Sequence, residues 1–142
     1  MEQRLSLVTL GVADLERAAS FYEDGLGWRR VPGPEGVVFF QLPGIGLALW
    51  ARTALAEDAG VADTDARFRG VALAYNARSR TEVDAVMGRA HAAGGTVTKI
   101  PREVFWGGYA GYFTDRDGHL WEVAHNPFWQ IDAEGRVTIG GA

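Results

Sequence analysis

The sequence predicts an α+β domain made of two copies of one strand–helix–strand–strand–strand module in pseudo-twofold pairing. Three observations predict it. The chain has 142 residues and no cysteine, a single domain's length that can bury a core without disulfide staples. Short apolar runs alternate with two segments whose apolar residues recur at helical spacing. The apolar pattern also repeats: Val8, Leu10 and Val12 return as Val71, Leu73 and Tyr75, sixty-three positions on, and Phe40 and Leu47 return as Phe113 and Leu120, seventy-three positions on. The ten extra positions lie inside the second copy, around residues 101–108.

The elements follow in order. Residues 5–12, LSLVTLGV, form a strand rich in Leu and Val. Asp14 is placed to N-cap the helix that follows, because its carboxylate can accept from amides of the first turn. Leu15, Ala18, Ala19 and Tyr22 give that helix its apolar stripe, and Gly25 and Gly27 stop it. Extended pieces at 28–31, 37–42 and 46–51 are separated by turns at 32–36 and at Pro43-Gly44. Residues 52–68 are polar and alanine-rich and read as a linker. The order then returns: a strand at 69–75, a helix capped by Ser79 or Thr81 and running to about 93, a stop at Gly94-Gly95, and extended pieces at 96–100, 108–114 and 119–125. The expected organisation is one domain, with module one at 1–51, the linker at 52–68, module two at 69–127 and a C-terminal extension at 128–142.

Composition narrows the function classes. Apolar residues make up 47% and charged residues 23%, ordinary for a soluble globular chain. A net charge of −4 speaks against a nucleic-acid reader. No apolar run is long enough for a membrane span and no leader segment is visible, so a cytoplasmic protein is expected. The fourteen basic residues include one lysine, Lys99.

Two stretches carry a family resemblance. LVTLGVADLERAASFYEDGLGW (7–28) and WGGYAGYFTDRDGHLWEVAHNP (106–127) resemble the entry module and the companion signature of the vicinal oxygen chelate superfamily, the group of glyoxalase I, bleomycin-resistance proteins and extradiol dioxygenases. The resemblance implies two βαβββ modules whose sheets form a curved mixed sheet around a cavity. It implies a homodimer as well. In the family's enzymes four positions in that cavity hold a divalent metal, and here they match Leu7, Leu49, Gly70 and Glu122. The family spans many reactions and some proteins that only bind, so fold alone does not decide function.

Only Glu122 of those four can coordinate a metal, and such a site needs three or more oxygen or nitrogen ligands. His91, His119 and His125 fall on a helix, at a turn and on the opposite strand face. No metal and no other cofactor is therefore expected. What remains is a small-molecule cavity. Strand alternation places Leu7, Thr9, Leu47, Leu49, Gly70, Ala72, Ala74, Leu120 and Glu122 on its face, with Val8, Leu10, Val12, Trp121 and Val123 under the helices. A lone carboxylate there is costly unless a cation or donor meets it. Glu122 therefore anchors a cationic or hydroxyl-bearing ligand, acts as a general base, or rests against an arginine or water; the sequence leaves these open. Trp106, Tyr109 and Tyr112 supply flat rings beside flexible glycines, suited to a planar ligand. Trp50 and Trp121 read as core, and Phe128 and Trp129 as a clasp on the sheet or a dimer contact. Asp115 and Gly118 read as a side-chain-capped tight turn. The expected function is metal-free binding of an apolar or aromatic small molecule, with a glyoxalase-like or dioxygenase-like enzyme using Glu122 as the alternative.

Overall fold

The computed structural model describes Gln3 and residues 7–58, 62–64 and 71–138. The chain divides into two compact units, Met1–Arg67 and Phe68–Ala142. Each carries one four-stranded mixed sheet, so the α+β fold of two βαβββ modules is present.

In the first unit, β1 (Leu7–Val12) leads to α1 (Leu15–Ser20), which continues as a π-helical turn, Phe21–Gly25. Asp14 caps α1 as expected, its Oδ1 accepting from the Arg17 amide at 2.9 Å. The helical segment ends at Gly27, whose φ of 79° is a left-handed conformation that a side chain would disfavour. The short β2 (Arg30–Val31), β3 (Val37–Leu42) and β4 (Ile45–Ala51) then run antiparallel to one another. Strand β4 closes against β1 in parallel, giving the order β1-β4-β3-β2. The expected linker holds a helix, α2 (Arg52–Asp58), which follows β4 directly and is pinned by an Arg52–Asp63 ion pair.

The second unit repeats the plan in the order β5-β8-β7-β6. Its strands are β5 (Leu73–Asn76), β6 (Thr96–Glu103), β7 (Tyr109–Thr114) and β8 (Leu120–His125). Helix α3 (Arg80–Ala92) is capped by Ser79, not Thr81: the Ser79 hydroxyl accepts from the Glu82 amide at 3.1 Å. The extra residues of this copy do not make a loop. They lengthen β6 through Pro101, which falls where the ladder with β7 is irregular, between Lys99 and Arg102, a position that tolerates the missing N–H. The C-terminal extension forms a small hairpin, β9 (Gln130–Ile131) with β10 (Val137–Thr138).

Each sheet buries one face. Tyr22, beside α1, packs its ring 5.2 Å from Trp28 and 5.8 Å from Phe40. Phe40, Leu47, Leu49 and Val12 are almost fully buried around it. In the second unit Phe113 stacks on Trp121 at 6.3 Å, and Val123 packs with Val83 and Met87 of α3 in the same core. Each such side chain contributes roughly 1.5–3 kcal/mol by leaving water. Trp121 is core as expected. Trp50 is only half-buried, and its pairing with Gly11 and Val37 puts it on the other face of its sheet.

Candidate functional site on the second sheet

Directly paired residues of neighbouring strands point to the same side of a sheet, so the registers fix which side chains share the faces turned away from α1 and α3. On the first sheet, Thr9 pairs with Ala48, which pairs with Phe39; Leu7 pairs with Gly46, which pairs with Gln41. This face opens into a pocket of about 600 Å³, lined by Leu7, Val31, Pro32, Pro34, Phe39, Gln41 and Ile45 among others. Leu47 and Leu49 are not on it. They pair with Val8 and Leu10 and are 2% and 0% exposed in the core beneath α1. The expected placement of these two residues is thus corrected. The chain uses one residue more to turn back from Phe113 to its partner Trp121 than from Phe40 to Leu47. The residue matching Glu122 on β4 is therefore Ala48, not Leu49.

The second sheet carries a charged row on such a face, built around Glu122. Glu122 of β8 pairs with Ala74 of β5 on one side and with Tyr112 of β7 on the other. Tyr112 pairs in turn with Lys99 of β6, whose Nζ lies 5.8 Å from the centre of the Tyr112 ring. The row thus runs Ala74, Glu122, Tyr112, Lys99 across all four strands. Burial, then the negative charge of Glu122 and a hydrogen bond to it, raise the Tyr112 phenol above its usual range. The Tyr112 phenol is therefore one donor that meets the carboxylate. Small side chains lie beside the row on the same face: Ala110 and Ala124, two positions along β7 and β8, are buried, whereas Ala74 at its end is exposed.

The other expected site residues divide. Leu120 shares the face of Glu122 by alternation and is half-buried. Ala72, just before β5, is exposed. Gly70 lies outside the described residues. Trp106 folds its ring over the backbone of Gly108, where even a Cβ would meet it at 1.7 Å, at the turn joining β6 to β7. Tyr109 does not join Tyr112. It is an odd number of residues away, so it faces α3, where its hydroxyl donates to Asp84 at 2.9 Å and Arg80 sits over its ring. Phe128 is 65% exposed, beside Gly107 of that same turn. His119 is tied to the buried Asp115 at 2.7 Å, and His125 faces the Ala77 carbonyl at 3.2 Å on the helix side. Asp115 caps its turn as expected, accepting from the amides of Asp117 and His119.

A family model, the glyoxalase/bleomycin resistance protein/dioxygenase superfamily, matches residues 4–123. The chain belongs to this superfamily. Among solved structures, the glyoxalase superfamily chain here is similar to a glyoxalase-related enzyme from Fulvimarina pelagi. The identity is 42%, with 99% of this chain and 100% of that one covered and a TM-score of 0.91. A glyoxalase/bleomycin resistance protein/dioxygenase from Nocardioides matches at 28% identity, covering 88% and 84% of the two chains, with a TM-score of 0.74. The fosfomycin resistance protein FosX of Mesorhizobium loti, at 24% identity, 89% and 94% coverage and a TM-score of 0.65, shares the fold. No curated protein matches the sequence.

The donor set does not fit the superfamily's divalent metal. Of the positions matched to it, Leu7 and Ala48 offer no lone pair, and Glu122 offers one carboxylate already engaged with Tyr112. Among the described residues no three His, Asp or Glu side chains converge. The residue that sequence reasoning missed is Lys99. Its signal was its singularity among the basic residues, together with Pro101 two positions on, which marks an irregular strand.

Proposed function

We propose that this superfamily member binds a small apolar or aromatic molecule without a metal, on the face of its second sheet turned away from α3. The observation that carries the reading is the Glu122–Tyr112 pair in the middle of that face, with no cluster of metal-ligating side chains around it among the described residues. A ring can lie on Tyr112 with little loss of side-chain freedom, while Glu122 accepts from a hydroxyl or amine of the ligand. The pocket on the first sheet, with Phe39 and Leu7, supports the same preference for apolar ligands. Tryptophan fluorescence of chelator-treated protein, titrated with a series of aromatic ligands, tests this. Saturable binding weakened by Glu122→Gln supports the reading, and no saturable change with any of them overturns it.

One observation favours an enzyme as a second reading. A carboxylate and a phenol side by side can take and return a proton on a bound substrate, as general acid–base catalysis requires. The similarity to a glyoxalase-related enzyme agrees with it. Turnover of a substrate with an acidic C–H, lost in both Glu122→Gln and Tyr112→Phe with binding retained, would establish this reading over simple binding.

A further inference from the structure

The backbone of β6 treats Lys99 differently from its neighbours. Thr96 and Val97 pair with Thr114 and Phe113 in regular antiparallel register. Continued without interruption, that register would set Lys99 opposite Gly111, on the side of α3. Instead the register shifts between Val97 and Lys99, and Lys99 pairs with Tyr112. The single extra residue turns the lysine over to the face turned away from α3. A second shift follows between Lys99 and Arg102, which brings Arg102 opposite Ala110 on that same face and returns Glu103 to the α3 side, where it pairs with Arg80 at 2.7 Å. The bulged strand lies so close to β7 that a Cβ on Gly111 would stand 2.9 Å from the Lys99 carbonyl oxygen.

The consequence is electrostatic. On a chain of net charge −4, the edge of this face carries two cations, Lys99 and Arg102, and neither forms an ion pair among the described residues. Lys99 is half-buried, while Arg102 is exposed. One strand further in lies the Tyr112 ring, and beyond it the Glu122 carboxylate. Neighbouring strands are about 4.8 Å apart, so Lys99 and Glu122 bracket a span of about 10 Å, the length of a small aromatic molecule. A lysine that only guarded a sheet edge against aggregation would serve on either face. Two ladder irregularities around a single residue aim it at one.

Resting on the binding reading above, we propose that Lys99 is a ligand-recognition residue. It holds the anionic group of a small aromatic acid whose ring lies on Tyr112 and whose far end donates to Glu122. The ammonium offers three N–H donors to a carboxylate, sulfonate or phosphate, and the half-buried setting limits screening by salt.

The test uses the full chain and two probes of one shape, 6-hydroxy-2-naphthoate and its uncharged amide, 6-hydroxy-2-naphthamide, followed by calorimetry. A charge-assisted hydrogen bond is worth about tenfold or more in affinity. Wild-type protein should prefer the carboxylate by about that factor. Lys99→Met should erase the preference while leaving amide binding unchanged, and Lys99→Arg should retain most of it. Far-UV circular dichroism checks that the variants fold. Arg102→Ala should change the preference by less than Lys99→Met does. Equal binding of both probes by wild type, or a preference untouched by Lys99→Met, overturns the role of Lys99 and leaves the binding reading standing. Failure of both probes to bind wild type overturns both.

Discussion

Gly111 gives a quantitative test of the β6 geometry. A methyl group there would stand 2.9 Å from the Lys99 carbonyl oxygen and 2.9 Å from the Pro101 nitrogen. Both are backbone atoms, and Pro101 is stiff, so relief requires β6 to move away from β7. Overpacking of a tight site costs about 1–3 kcal/mol. With two backbone contacts in conflict, Gly111→Ala should fall at the upper end, about 2–3 kcal/mol. For a chain of this length that lowers Tm by roughly 7–10 °C. Gly88 is the natural control. It lies inside α3, and a Cβ there meets nothing within 4 Å. Gly88→Ala should therefore stabilise by about 0.5–1 kcal/mol, raising Tm by roughly 2–4 °C, because alanine loses less backbone entropy in a helix. Differential scanning calorimetry of the two variants decides the matter. A Gly111→Ala protein that melts at the wild-type temperature would refute the close bulged packing, and with it the aiming of Lys99.

Two further outcomes follow from polar side chains held in hydrogen bonds. Asp115 is 4% exposed and accepts from the amides of Asp117 and His119 and from the His119 ring. Asp115→Ala should cost about 2–4 kcal/mol in urea unfolding by leaving these donors unmatched, and a loss under about 1 kcal/mol would show that water replaces the carboxylate freely. Burial, and the Glu82 carboxylate to which its hydroxyl donates, push the Tyr75 phenol up to about 12 from an ordinary value of 10.0. A raised pKa means that the folded state holds the proton more tightly, so this stability is complete below pH 10 and is lost as pH rises towards 12. Thermal melts of Tyr75→Phe should accordingly fall less steeply than wild type across that window, and parallel slopes would contradict the assignment.

Much of the fold was legible because its signals are local. Asp14 and Ser79 cap by side-chain chemistry that reads directly from the residue type, and the repeated strand–helix order needs only period and spacing. The face of β4 was not legible. One residue's difference in how each hairpin turns back moves Leu47 and Leu49 from the site to the core, because a strand's side chains alternate with period two. Nothing in residues 40–47 announces that difference. Tyr109 and Tyr112 looked alike beside their glycines, yet an odd separation along β7 sends one to α3 and the other to Glu122. Lys99 lay hidden for a related reason. Strict alternation from Val97 places it with the helix, and only the bulge reverses it. Glu122 was found because its residue type is conspicuous on an apolar strand; its partner Tyr112 became visible only through cross-strand pairing.

The central claim is that the Glu122 face works as a ligand site without a bound metal. Elemental analysis tests it most directly. The protein would be incubated with Mn, Fe, Ni or Zn, desalted, and analysed beside Glu122→Ala. The account predicts that no metal is retained in stoichiometric amount and that the two proteins match. A stoichiometric metal held by wild type and lost with Glu122→Ala would contradict it.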